Sequence, residues 1–372
     1  MNLLIISSVL HIKQENQFFG YAPYVCEMNI WAKHVSSITV VAPILNGQPT
    51  DIDMAYHHEN IEFIAVQRFS LLGISEIIKT FALLPKIMFT IFTAMSNADH
   101  VHLRCPSNMG LLGCIVQIFY PKKPKSAKYA GNWDYEAKKP FSYKLQQWIL
   151  NNAFLTRNMQ VMAYGEWQNT SKNIVPFFTA TYSEKSAEVV EKDDVCFGFK
   201  FIFVGMLVRG KNPLYAIQLV EGLHKIGKKV SLELYGEGAE RQSLQNYIEN
   251  NGLQSYVFLK GNQNGEIVKM AYKKSHFVLL PSLSEGWPKA IAEGMFWGCV
   301  PVALPVSCVP QMLDFGNRGL LLHLNLEQDL ASITSLTSDG IRMAQMSGDA
   351  RNWSQKYTTE KFENAIKNIL HS

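Results

Sequence analysis

Little in this sequence of 372 residues points to metal, disulfide or nucleic-acid chemistry. Its six cysteines, at 26, 105, 114, 196, 299 and 308, include no C-x-x-C pair and no histidine cluster, which argues against a zinc site and a disulfide framework. Charged residues make up 18% of the chain and the formal net charge is +4, too small a surplus to suggest nucleic acid as a partner. The longest apolar regions, 71–95 and 109–120, are interrupted by Glu76, Lys79, Lys86 and Gln117, so neither reads as a membrane span. The apolar start, Met1-Asn-Leu-Leu-Ile-Ile, lacks the leading basic residue of a signal peptide; it reads as a first buried strand, and a reducing cytoplasm is the expected compartment. No internal repeat or low-complexity run is present.

What is present is 47% hydrophobic residues, enough to bury a sizeable core, in a chain whose length suits two domains. Short apolar runs alternate with helical stretches, the pattern of parallel sheets wrapped by helices. Strands are expected at 2–7, 38–42, 61–66, 99–103 and 126–130, then at 201–205, 230–235, 256–259, 276–280 and 300–303. The charged stretch 183–194 separates the two series. Two doubly wound halves follow, 1–182 and 199–352, with ligands expected outside the carboxyl ends of the strands, between the halves.

The most informative stretch is Ser282-Leu-Ser-Glu285-Gly286-Trp287-Pro288-Lys289-Ala-Ile-Ala-Glu293-Gly-Met-Phe-Trp-Gly298. If Pro288 opens a helix, Glu285 sits in the turn before it and Glu293 about two turns in. At about 1.5 Å per residue the two carboxylates span at most about 12 Å, the length of a nucleotide diphosphate sugar. Between them lie the free N–H groups and positive dipole end of the helix, suited to phosphate or sugar hydroxyls. Glu293 is embedded among Ala290, Ile291, Ala292, Met295, Phe296 and Trp297, which favours a ligand or a fixed donor over water alone as its partner.

These residues resemble the retaining glycosyltransferases of family four, which have the GT-B fold and an E-x7-E signature after P-S-x-x-E-G. The segment 201–213, Phe-Ile-Phe-Val-Gly205-Met-Leu-Val-Arg209-Gly-Lys211-Asn-Pro, is similar to the family's donor-phosphate loop, and Leu234-Tyr-Gly236-Glu-Gly238 to its next strand and glycine turn. The resemblance covers residues 199–355. It implies an α/β GT-B fold, two Rossmann-like domains facing across a cleft, with a last helix at 353–370 packing back on the first domain.

It also implies transfer of a sugar from a nucleotide diphosphate sugar to a hydroxyl, in cell-surface polysaccharide or glycolipid synthesis, with no cofactor and no metal. Glu293 is expected on the ribose and Glu285 on the hexose. Lys211 and Arg209 fall to the diphosphate, whose growing charge they would stabilise as the bond breaks. Gly205, Gly286, Trp287, Pro288, Lys289, Asn262 and Gly20 complete the donor side; alternatively Gly20 is a plain turn in the loop after the first strand, and Gly261-Asn262-Gln-Asn264 a turn-forming Asn/Gly cluster. The family's arginine after the glycine is Met206 here. Arg209 is the candidate substitute, unless Lys211 and backbone N–H groups suffice.

The first half carries weaker signals. His100, His102 and Arg104 share one strand face by period two, and Arg104 precedes a helix start, an anion seat. Where many relatives have a histidine, the chain reads Gly131-Asn132-Trp133-Asp134; Asn132 and Asp134 are acceptor-side candidates and Trp133 offers a ring face, or the four form a tight turn. Lysines at 122, 123, 125, 128, 138, 139 and 144 are either a solvated face or a contact to anionic lipid, which would suit a lipid-linked acceptor as well as a glycan. A nucleotide-sugar epimerase of the same fold and a sugar-nucleotide-binding protein without turnover remain open. Gly236-x-Gly238 lacks the third glycine of a dinucleotide fingerprint at Arg241, and Asp51-x-Asp53 has metal-pair spacing in a polar loop remote from the donor motif.

Overall fold

The computed structural model of the protein describes residues 1–50, 52–69, 83–192 and 194–371. Asp51 and residues 71–82 of the first apolar region lie outside them. The chain divides into two compact units, Met1–Phe177 with Glu363–Ser372, and Phe178–Phe362.

The first unit contains β1 (Asn2–Ile6), β2 (His11–Gln14), β3 (Gln17–Tyr21), β4 (Ser37–Leu45), β5 (Asp53–Ala55), β6 (Ile61–Val66), β7 (His100–Cys105), β8 (Lys125–Tyr129), β9 (Met159–Tyr164) and β10 (Ile174–Phe177). Seven of them run parallel in the order β6-β4-β1-β7-β8-β9-β10. Leu3 to Ile6 of β1 are fully buried, which is why this central strand reads as an unbroken apolar run. A small patch absent from the expected strands, β2-β3-β5, extends β4; its polar-rich sequences have little alternation to announce them. Helix α1 (Ala22–Ala32) faces His100, His102 and Arg104, while α2 (Leu84–Asn97), α3 (Asn108–Val116) and α4 (Phe141–Leu150) share one core with a sheet face.

The second unit holds an all-parallel sheet of β11 (Phe199–Val204), β12 (Val230–Tyr235), β13 (Val257–Gly261), β14 (Phe277–Leu280), β15 (Val300–Ala303) and β16 (Leu320–Leu321), in the order β13-β12-β11-β14-β15-β16. Its helices are α5 (Pro213–Lys225), α6 (Arg241–Asn250), α7 (Gly265–Lys274), α8 (Lys289–Phe296), α9 (Val309–Met312), α10 (Leu326–Ser338) and α11 (Gly340–Ser354). The strand order reverses between β11 and β14, and the crevice outside their carboxyl ends is where such a sheet binds ligands.

Three expectations change. The stretch 353–370 is not one helix: α11 ends at Ser354 and α12 (Thr359–His371) starts after a turn, with residues 353–362 in the second unit. Glu363 of α12 pairs with Lys33 at 3.2 Å and His34 at 2.9 Å, within the first unit. The charged stretch 183–194 is no separator. Lys192 Nζ donates to the carbonyls of Tyr272 and Lys273, and Lys273 pairs with Glu188, which fastens the stretch to α7. Pro288 is the cap before α8 and not its first residue, so Glu293 lies little more than one turn in.

Helix α8 packs unusually close to β14. A Cβ on Gly294 would stand 2.6 Å from Cγ1 and 2.7 Å from Cβ of Val278, a branched side chain with no freedom to retreat. Gly294→Ala is expected to destabilise the protein by about 1–3 kcal/mol through overpacking, read as a lower denaturant midpoint at unchanged slope.

Candidate functional site

The carboxyl edge of the second sheet is built from loops locked to one another by backbone. After β11, Gly205 N–H donates to Tyr235 O and Leu207 N–H to Glu237 O, both at 2.9 Å. A Cβ on Gly236 would lie 2.0 Å from Gly205 O, and one on Gly238 2.4 Å from Leu207 O; glycine is required at both positions for the loops to touch. Leu283 N–H then donates to Gly210 O at 2.9 Å, tying the loop after β14 to the loop after β11. Arg209, Gly210 and Lys211 form a single tight turn, closed by Asn212 in the left-handed region (φ 53°) ahead of Pro213, the first residue of α5.

This lacing brings Lys211 and Glu285 together. Lys211 Nζ donates to Glu285 Oε1 at 2.6 Å, with only 7% of the glutamate side chain and 25% of the lysine exposed. The pair stands at the switch point of the sheet, where loops after β11 and β14 meet. Gly286 is held from behind, its carbonyl accepting from Ser307 Oγ at 3.1 Å and Cys308 Sγ at 3.3 Å. Ser282, fully buried beside the motif, has no hydrogen-bond partner for its hydroxyl among the described residues.

Glu293 does not join that pair; its Oε1 accepts from Thr181 Oγ1 at 2.7 Å. It lines a small cleft with Thr179, Thr181, Trp287, Lys289 and Tyr357. Burial raises the Glu293 carboxyl above its ordinary range, opposed by the charge of Lys289 and the hydroxyls of Thr181 and Tyr272. Trp287 is stacked on Trp353 at 6.0 Å and meets Tyr357 edge-on, so its ring is part of an aromatic cluster. Arg209 and Asn262 are exposed, and Met206, at the position of the family's arginine, is 61% exposed. The neighbouring Asn264 caps α7, accepting from Ile267 N–H at 3.0 Å, so the Asn/Gly cluster is at least in part a helix start. Thr181, Ser307 and Ser282 were not foreseen. Thr181 meets Glu293 across 112 positions of sequence, and no local pattern announces that contact.

Most first-half candidates have partners within the fold. Gly20 is not in a loop but within β3, opposite His11, where a Cβ would crowd His11 and Val25 at 3.1 and 3.2 Å. His102 is fully buried, its ring 4.3 Å from that of Trp31 and its Nδ1 3.0 Å from Ser126 Oγ; burial drives its basicity well down. His100 meets the same hydroxyl at 2.9 Å, and burial takes it down to about 4. Asn132 Oδ1 accepts from Asp134 N–H and Asp134 Oδ1 from Glu136 N–H, which makes the segment a tight turn. Trp133 is fully buried edge-on against Tyr129 at 4.8 Å and presents no ring face to a ligand. Asp53 accepts from Thr50 N–H and Oγ1 at 2.9 and 2.8 Å as a turn cap.

Arg104 is committed to a buried ion cluster. Glu27 Oε1 accepts from Arg104 Nη1 and from Lys128 Nζ, each at 2.8 Å, with Lys128 fully buried above the rings of Tyr164 and Phe177. Burial alone would raise the Glu27 carboxyl, but the two cations hold it at about 2. Glu27 itself went unnoticed in the sequence, where a single glutamate in the apolar run of α1 carries no spacing signal.

Residues 198–353, all in the second unit, match the family Glycosyl transferases group 1. Among curated proteins the chain is similar to an uncharacterized glycosyltransferase of Methanocaldococcus jannaschii, 24% identical over 169 residues that cover 45% of this chain and 46% of that protein. It is also similar to the poly(glycerol-phosphate) alpha-glucosyltransferase of Bacillus subtilis, 25% identical over 171 residues covering 44% of this chain and 24% of the relative. The chain therefore spans less than half the length of either. Among solved structures, Anabaena HepE in complex with UDP and glucose matches over 100% of this chain and 99% of its own, with a TM-score of 0.66 and 17% identity. That likeness is one of fold, and the fold class is GT-B, as the motif resemblance implies.

The Glu27 cluster sets a pH response. A carboxyl held at about 2 in the folded protein against an ordinary 4.5 contributes stability that is present above about pH 4.5 and lost as pH falls toward about 2. Glu27→Gln is expected to flatten the acid limb of a stability-against-pH curve. At neutral pH it should cost about 3–5 kcal/mol, because two buried cations lose their counter-charge.

Proposed function

We propose that this chain is a retaining glycosyltransferase that moves a sugar from a nucleotide diphosphate sugar to a hydroxyl of a glycan or lipid-linked acceptor, in surface-polysaccharide or glycolipid synthesis. The observation that carries the reading is the Lys211–Glu285 contact of 2.6 Å at the switch point of the second sheet, inside the matched domain. The UDP and glucose bound to HepE support the donor class, and the B. subtilis poly(glycerol-phosphate) alpha-glucosyltransferase supports a polymer acceptor; retention rests on the motif resemblance alone.

In this reading the pair holds the empty site. An arriving diphosphate competes for the Lys211 ammonium, which frees the Glu285 carboxylate to accept hydrogen bonds from hexose hydroxyls. As the glycosidic bond breaks, negative charge grows on the departing nucleoside diphosphate. Lys211, fixed by its loop and not by solvent, stabilises that charge more than it stabilises the bound donor. Glu293, on its own cleft, takes the ribose by exchanging the Thr181 hydroxyl for ribose hydroxyls. Arg209 adds an exposed cation to the diphosphate, and the reading assigns no step to a metal or cofactor.

The test is a panel of UDP, GDP and ADP sugars, read first by thermal shift and then by nucleotide release with candidate acceptors. A true donor raises the melting temperature by mass action. Lys211→Ala is expected to lower kcat by about 10²–10³-fold. Glu293→Gln should act mainly on donor KM, because a ribose contact is made equally in ground and transition states. Equal kcat for wild type and Lys211→Ala would remove the leaving-group role. Nucleotide release without a glycosylated product would point to an epimerase of the same fold, and donor binding without release to a sugar-nucleotide-binding protein.

A further inference from the structure

We propose that the outward stripes of α2 and α4 in the first unit, which flank the buried α3, dock on an anionic lipid bilayer. The three helices share one core with a single face of the sheet: Ile87 and Ile91 of α2, Leu112 and Cys114 of α3, and Ile149 and Leu150 of α4 are buried together. Helix α3 is buried almost all round, whereas α2 and α4 each keep a stripe turned away from the sheet. Those two stripes are aromatic and basic, not simply polar.

On α2, Lys86, Phe89 and Phe92 recur at a spacing of three and all are exposed, Phe89 at 72%. On α4, Phe141, Lys144 and Trp148 form the matching stripe, with the two aromatics 80% and 60% exposed. Phe119, in the tight turn Gln117–Phe119 that follows α3, is 68% exposed and lies 6.5 Å from Phe92 of α2, which makes the two rings neighbours. Scattered exposed apolar residues are ordinary; large rings interleaved with lysines on two helices that flank α3 on the same side of the sheet are not.

The sign of charge selects the occupant. Between residues 83 and 157 the sequence has ten lysines and arginines against three acids, Asp99, Asp134 and Glu136. The lysine run seen in the sequence supplies only part of this, because Lys125 and Lys128 are buried. Lys86 and Lys144 are the exposed cations of the two helices, neither of which carries an acid, and Lys122, Lys138 and Arg157 are exposed in connecting segments. No helix among the described residues is long and apolar enough to cross a membrane, so the contact is one of rings at headgroup depth with lysines among anionic headgroups. The inference goes beyond the proposed reaction and does not depend on it.

The full chain is mixed with vesicles of phosphatidylcholine alone or with phosphatidylglycerol, floated at low and high salt, and its tryptophan emission recorded. Co-flotation only with the anionic vesicles, weakened by salt, is expected, with an emission blue-shift that Trp148→Phe abolishes. Phe89→Ser with Trp148→Ser, and separately Lys86→Glu with Lys144→Glu, should each lower vesicle partitioning by about tenfold or more at an unchanged melting temperature, because these side chains are exposed. The proposal is overturned if the wild-type chain stays unbound with anionic vesicles, or if both double variants float as well as wild type. It is equally overturned if light scattering shows a dimer that Phe89→Ser dissolves, since a second copy would then cover the face.

Discussion

The contact between the Lys211 ammonium and the Glu285 carboxylate is the interaction around which the second unit is arranged. At 2.6 Å and largely out of water, the pair gains Coulomb attraction but gives up much of its hydration, so it contributes little to stability on its own. It exists because the backbone leaves the two groups no other place. The loops after β11, β12 and β14 are joined through N–H to carbonyl bonds at Gly205, Leu207 and Leu283, and the contact at Gly236 is so close that only glycine fits. A cation and a carboxylate are thereby presented on a frame that does not need to reorganise, the condition under which fixed charge acts most strongly on a changing ligand charge.

The first unit uses charge differently. There a carboxylate, Glu27, is spent on neutralising Arg104 and Lys128 inside the fold, and His100 and His102 are kept uncharged against Ser126 and Trp31. These groups fix how α1 lies on β7 and β8. Polar residues at the ends of parallel strands thus serve two ends in one chain: in the second unit they stand at the open edge of the sheet, and in the first they are closed under a helix.

Much of the fold was legible because parallel strands buried on both faces must be apolar throughout; β1, β11 and β14 announce themselves in that way. The patch β2-β3-β5 and the strand β9 were not, since Gln, Lys and Met in short runs give neither alternation nor a β-branched signal, and β10, Ile-Val-Pro-Phe, is a four-residue run interrupted by a proline. The break between α11 and α12 was missed for a related reason: the sequence from 353 to 370 has no glycine or proline to interrupt a helical reading. Likewise, the lysine run after position 121 looked like one surface, whereas strand pleating and a buried partner draw Lys128 inside.

The sequence by itself determined the two doubly wound series, the carboxylates eight positions apart and the loop cation at 211, because apolar period, helix-start chemistry and motif spacing are local properties written residue by residue. Only the tertiary structure decided which groups meet. Lys211 finds Glu285 across 74 positions, Glu293 finds Thr181 across 112, and Arg104 finds Glu27 across 77. Those pairings follow from the order in which strands are laid into a sheet, and no stretch of chain short enough to read as a pattern contains both partners.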